Sequence, residues 1–206
     1  MIHVDGSTVF VPQSQSEGIG WAVVACHEDK LEERYGGVPH LRRGPLTGCH
    51  EQIAFIEGVL YAHAAGFAPQ DVTILCDDDL FGYAQQWLHP ENYLTTRADQ
   101  VRERLDRVAV QLYPVGTVEL VLDYFEAATI HKLKGHSLDV YQERADYLAK
   151  CAAKAACALD MKEPRAYEDW LATGIASYDY VNEVALTWHA PFVVAATKKI
   201  KPSKPS

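Results

Sequence analysis

Lys134-Gly135-His136-Ser137-Leu138-Asp139-Val140-Tyr141-Gln142-Glu143-Arg144-Ala145-Asp146 joins a glycine-containing loop to the start of a helix. From about Val140 to Leu159, Ala145, Leu148, Ala149 and Ala152 recur at helical spacing and form one packing face. Asp146 falls in the first turns of that helix, ten residues after His136. Taken alone it is an ordinary solvent-facing helix acid. Three other carboxylates sit at comparable transitions. Asp5 closes a short strand over Met1 to Val4 and precedes Gly6-Ser7. Glu51 lies in the first turn of a helix from about Cys49 to Ala65, marked by Ile53, Ile56, Leu60 and Ala64 and capped by Gly66. Asp77 follows a buried strand over Val72 to Cys76.

Each acid has a plain structural role available. The helix dipole favours Glu51 in a first turn, and Asp77 can cap the helix that follows it. Jointly, four separated carboxylates at strand, turn and helix boundaries are what two magnesium ions on a nucleic-acid phosphate require.

The remaining elements complete an α/β order. Ile19 to Cys26 and Lys30 to Tyr35 read as strands that form an antiparallel front with the first. Leu80 to Leu88 reads as a helix broken by His89-Pro90. Ala98 to Tyr113 places Val101, Leu105, Val108 and Leu112 on one stripe and Arg102, Arg104 and Arg107 away from it. Val118 to Ala127 has both helix and strand character and is assigned to helix. Ala166 to Ala172 and Tyr180 to Trp188 are expected as short helices, packed through Trp170, Tyr178, Tyr180 and Trp188.

Val4-Asp5-Gly6-Ser7, the helix start at His50-Glu51, the strand end Leu75-Cys76-Asp77-Asp78, and Lys134-Gly135-His136 with Gln142-Glu143-Arg144-Ala145-Asp146 occur in one order and spacing. Together they resemble the single-domain, type 1 ribonuclease H family over roughly residues 1 to 158. The resemblance implies a ribonuclease H-like α/β fold: a five-stranded mixed sheet flanked by helices, with a strand at Thr129 to Leu133 and, in this chain, a C-terminal helical extension. The expected division is a catalytic domain over 1–159, a helical extension over 160–197 packed on the core, and a basic, disordered tail over 198–206.

The implied activity is metal-dependent endonucleolytic hydrolysis of the RNA strand of RNA–DNA hybrids. Two Mg2+ ions are implied, with Mn2+ as the alternative metal. Asp5 would bridge them, Glu51 and Asp77 would complete one ion's site, and Asp146 with Asp5 would anchor the other; Asp78 is the register alternative to Asp77. By the same resemblance His136 assists proton transfer and product departure, a task suited to a group that titrates near neutrality.

Departures from the family pattern fall on substrate contacts. Where many members carry a Thr-Asn-Asn-like stretch before the helical glutamate, this chain has Leu46-Thr47-Gly48-Cys49, leaving Thr47 and the Gly48 backbone to read RNA. The Lys- and Trp-rich handle of bacterial members is missing, so Arg102, Arg104, Arg107 and Lys134 are the candidate nucleic-acid contacts. A proofreading-type exonuclease would carry a glutamate two residues after its first aspartate, where this chain has Ser7. Transposases and junction resolvases lack the Lys-Gly-His loop followed by Glu-Arg-x-Asp. The rival reading is a nucleic-acid-binding or scaffolding protein that kept the fold and lost useful activity.

Composition is consistent with one globular unit: 206 residues, 48% hydrophobic and 23% charged. Five scattered cysteines without a C-x-x-C pair argue against a disulfide framework or a zinc site. Asp5 interrupts the amino terminus before a signal-length apolar run, and no stretch reaches the roughly 18 apolar residues of a membrane helix. The expectation is a cytoplasmic monomer. A formal net charge of −9 sits awkwardly with a polyanionic substrate, because phosphate binding is driven by Lys and Arg. Lys198, Lys199, Lys201 and Lys204 offset this locally. The 19 Lys and Arg less these four leave 15 against 28 acids, a body of formal charge −13.

Overall fold

The computed structural model describes residues 1–11, 16–27, 30–41, 44–78, 81, 93–133, 139–158, 176–180, 184–188 and 198–199. Three long strands, β1 (Ile2–Val11), β2 (Ser16–His27) and β3 (Lys30–Leu41), form an antiparallel meander. Helix α1 (His50–Ala64) and a 3-10 turn (Pro69–Asp71) lead into β4 (Thr73–Cys76). Next come α2 (Tyr93–Leu112), α3 (Thr117–Ala127), β5 (Thr129–Lys132) and α4 (Val140–Ala158). β4 pairs parallel to β1, and β5 parallel to β4, so the expected five-stranded mixed sheet flanked by helices is present, in the order β5-β4-β1-β2-β3.

Strand alternation divides the sheet's two faces. On one face Val4 packs against Gly58 of α1, and Gly6 meets the amino-terminal end of the same helix. On the other, Gly18 and Gly20 of β2 lie under α4, where a Cβ on Gly20 would fall 2.0 Å from the Ala149 carbonyl oxygen. Those glycines let the helix rest almost on the sheet backbone. The alanine-rich face of α4 is its complement: Ala145, Leu148, Ala149 and Ala152 are fully buried. On the α1 side, Phe55 stacks on Phe81 at 4.2 Å and both meet Phe125 of α3 edge-on, locking α1 to the outer helices.

Several boundaries differ from the sequence reading. β1 does not end at Asp5 but runs on to Val11, because β-branched and aromatic residues 8–11 continue the pairing with β2. Gly6 reads as a turn residue in sequence, yet it sits mid-strand to admit α1. β3 likewise continues past Tyr35 through Gly36 to Leu41, with Gly36 against the Trp21 ring. The helix expected over Tyr180 to Trp188 is instead part of a hairpin of β6 (Ala176–Tyr180) and β7 (Val184–Trp188). Its Val, Thr, Tyr and Trp content favours a pleated strand over a helix of this length. Lys198–Lys199, expected in a disordered tail, forms a two-residue strand, β8, on the edge of β3. The helices expected over Leu80 to Leu88 (except Phe81, which is helical) and Ala166 to Ala172, and the position of Trp170, lie outside the described residues.

All five cysteines are free. No helix among the described residues is long and apolar enough to cross a membrane.

Candidate metal centre

Parallel pairing of β1 with β4 sets His3 opposite Leu75. Two residues further along each chain, Asp5 and Asp77 stand side by side where β4 ends. The amino terminus of α1 comes down on the next residue of β1: a Cβ on Gly6 would lie 2.4 Å from the His50 carbonyl carbon and 2.7 Å from the Glu51 nitrogen. Only glycine permits that approach, and it delivers Glu51 to the same point. Carboxylate oxygens of Asp5, Glu51 and Asp77 consequently lie within 4.8 Å of one another.

The cluster is electrostatically tense. Burial, then the charges of Asp77 and Asp146, push the Asp5 carboxyl up to about 8, against the opposing effects of a Gln142 hydrogen bond and the Lys150 charge. Burial, with Asp5, Asp77 and Asp78 adding to it, holds Glu51 well above the usual carboxylate range, opposed by a backbone hydrogen bond from Gly6. Glu51 Oε2 is buried without a hydrogen-bond partner among the described residues. His50 lies beside it, with Nε2 3.6 Å from Glu51 Oε1. Burial lowers the His50 pKa despite the opposing charges of Asp77 and Asp78, so near neutrality the imidazole adds little positive charge to the cluster.

The fourth carboxylate arrives on α4 and is differently placed. Asp146 acts electrostatically on Asp5 but falls outside the close trio, and its Oδ2 accepts a hydrogen bond from Lys150 Nζ at 2.6 Å. Asp78 does not join the trio either. Its Oδ1 accepts the Phe81 backbone N–H at 3.0 Å and its Oδ2 faces Arg104 at 3.6 Å, so it caps and pairs while Asp77 points inward. Of these two acids, Asp77 and not Asp78 lies in the close trio.

Two residues that the sequence reading passed over support the cluster. Gln142 Nε2 donates to Asp5 Oδ1 at 3.1 Å and to the Val4 carbonyl at 3.2 Å, fixing the Asp5 carboxylate from the α4 side. Asp139 caps α4 through Tyr141 and Gln142 N–H groups and pairs with buried His3 at 3.3 Å. Asp139, Gln142, Asp146 and Lys150 follow one another at steps of three and four, a spacing that sets them along one side of α4.

Among the candidate nucleic-acid contacts, Gly48, Arg104 and Arg107 line a groove of about 500 Å³ together with Gln52, Gln100 and Glu103. Gln52, its amide turned to donate to the Gly48 carbonyl and accept from Arg104, ties the loop before α1 to α2. Arg107 donates to Cys49 Sγ at 3.1 Å. Arg102 points elsewhere, to Glu119 on α3 at 3.4 Å, and Thr47 is exposed beside the groove. His136 and Lys134 lie outside the described residues.

No protein-family description and no curated protein matches the chain. Among solved structures it is similar to the RNase H1 of the halophilic archaeon Halobacterium salinarum NRC-1, with a TM-score of 0.41 and 19% identity, covering 74% of this chain and 96% of that one.

Proposed function

We propose that this chain is a divalent-metal-dependent endonuclease that hydrolyses the RNA strand of RNA–DNA hybrids. The observation that carries the metal reading is the close trio of Asp5, Glu51 and Asp77, whose oxygens lie within 4.8 Å while Glu51 Oε2 has no partner among the described residues. Carboxylates pressed together in a partly buried place are unstable unless protonated or shared by a cation. An all-oxygen donor set suits Mg2+ or Mn2+ better than a softer metal.

Asp5, Glu51 and Asp77 would hold one ion, and Asp5 with Asp146 a second. Bound there, such ions supply the charge that activates an attacking water and stabilises the departing 3′ oxygen of a phosphodiester. The chain's own part is positioning. Gln142 fixes the Asp5 carboxylate, Gly6 sets the height of Glu51, and the end of β4 aims Asp77. Arg104 and Arg107, in the groove beside α1, offer charge to a phosphate backbone. The choice of hybrid over other nucleic acids rests on the resemblance carried by residues 134–146 and the three acidic segments before them.

A labelled RNA–DNA hybrid, with single-stranded RNA and duplex DNA alongside, tests this with and without Mg2+. Cleavage confined to the RNA strand of the hybrid and abolished by a chelator is expected. No metal-dependent cleavage of any substrate would end the enzyme reading. One observation favours the rival, a binding module without turnover: Asp146 is already engaged by Lys150. That reading expects hybrid binding with no product in the same assay.

A further inference from the structure

We propose that Lys150 sets how many metal ions the site holds, limiting the substrate-free protein to one divalent ion and admitting a second only when its ammonium leaves Asp146. The inference rests on the metal-site reading above and concerns how the chain controls that site.

Three placements lead to it. Donor oxygens of Asp5, Glu51 and Asp77 converge on one point, and Asp146 is not among them. Asp146 Oδ2 is instead held by Lys150 Nζ at 2.6 Å, a short charge-assisted hydrogen bond. Both residues sit on α4 four positions apart, on the stripe that also carries Gln142 to Asp5, and the Lys150 charge reaches Asp5 itself. The ammonium therefore occupies an Asp146 oxygen that a second ion between Asp5 and Asp146 would need, and its charge acts on Asp5 as well. A divalent ion at that place would both lose the Asp146 oxygen and meet a like charge.

The arrangement is reversible without moving the backbone. Lys150 is about half exposed, and its stem has four rotatable bonds. A phosphodiester arriving at the site offers the ammonium another anionic partner, which frees Asp146 for a second ion. Full metal loading is then coupled to nucleic acid, and the substrate-free protein holds an incomplete site. An ordinary exposed ion pair four residues apart, contributing a few tenths of a kcal/mol to the helix, would leave ion stoichiometry untouched, which is where the two readings part.

The test is Mn2+ binding to the full chain without nucleic acid, counting bound ions by electron paramagnetic resonance of the free ion. The wild-type protein is expected to bind one ion. Lys150→Met, which keeps the apolar stem and removes the charge, is expected to bind two, and Lys150→Arg one. Matching circular dichroism spectra establish that the variants fold. Two ions of comparable affinity in the wild type, or one in Lys150→Met, would overturn the role of Lys150 and leave the metal-dependent reading standing. Absence of any bound Mn2+ in the wild type would instead overturn that reading and this inference with it.

Discussion

Asp5 concentrates the physics of the site in one side chain. Its carboxyl is held at about 8, whereas an exposed aspartate has a value of 3.8. The folded protein therefore retains a proton that the unfolded chain gives up as pH rises between those values. With the folded pKa raised above the unfolded one, its contribution to stability is greatest at low pH and is lost as pH climbs toward 8. Glu51 is shifted the same way. The metal-free protein is accordingly expected to melt at lower temperature at about pH 8 than at about pH 5, with Mg2+ reversing the trend because deprotonated carboxylates bind it. Melting curves across that range check this; a metal-free melting temperature that rises steadily toward pH 8 would contradict it.

Asp77→Asn removes one charge from the same cluster, so hybrid cleavage should fall by orders of magnitude while the metal-free fold gains roughly 0.5–2 kcal/mol. Near-normal cleavage in that variant would remove Asp77 from the site. Glu51 and Asp77 are legible in sequence because each flanks an element boundary, whereas Asp5 lies within β1 and Asp146 within α4, where only the residues around them in sequence mark them. Gln142 and Lys150 are not legible, since their roles depend on which face of α4 turns toward β1, though their spacing from Asp146 holds the clue.

At the scale of elements, the site depends on two helices approaching the sheet more closely than side chains allow. Gly6 admits the start of α1, and Gly18 with Gly20 admit α4. Gly20→Ala would place a methyl 2.0 Å from the Ala149 carbonyl oxygen and 2.4 Å from the Ala153 nitrogen, both backbone atoms that can yield only if the helix moves. A loss of roughly 1–3 kcal/mol is expected, read as a lower urea midpoint with unchanged slope. An unchanged midpoint would mean that α4 has room to spare. The helices α1, α2 and α4 are readable from periodicity, although α2 begins at Tyr93 rather than Ala98, whereas residues 118–127 show both helix and strand character in sequence. Strand limits are less readable: a glycine within β1 looks like a turn until the helix that needs it is known. The β6–β7 hairpin escapes sequence reading because its five-residue strands are too short for periodicity to separate them from helix.

For the whole molecule, the proposed substrate is a polyanion while the chain carries a formal charge of −9. Besides Lys134 and Lys150, positive charge is offered by Arg104 and Arg107 in the groove beside α1 and by the lysines from 198 onward. β8 attaches the start of the latter to β3, an edge separated from β1 by β2. Lys198 and Lys199 are thus paired to the sheet yet remote in strand order from Asp5. Truncation after Thr197 should weaken hybrid binding and flatten its salt dependence, because every phosphate that the protein no longer neutralises reduces the slope of log affinity against log salt by roughly one. Turnover at saturating substrate should stay the same, since the tail carries no group that acts in the transition state. Arg104→Ala with Arg107→Ala should also reduce the slope. If truncation leaves affinity and slope unchanged while the double arginine variant lowers both, the groove is the grip and the lysines serve only to cover the edge of β3.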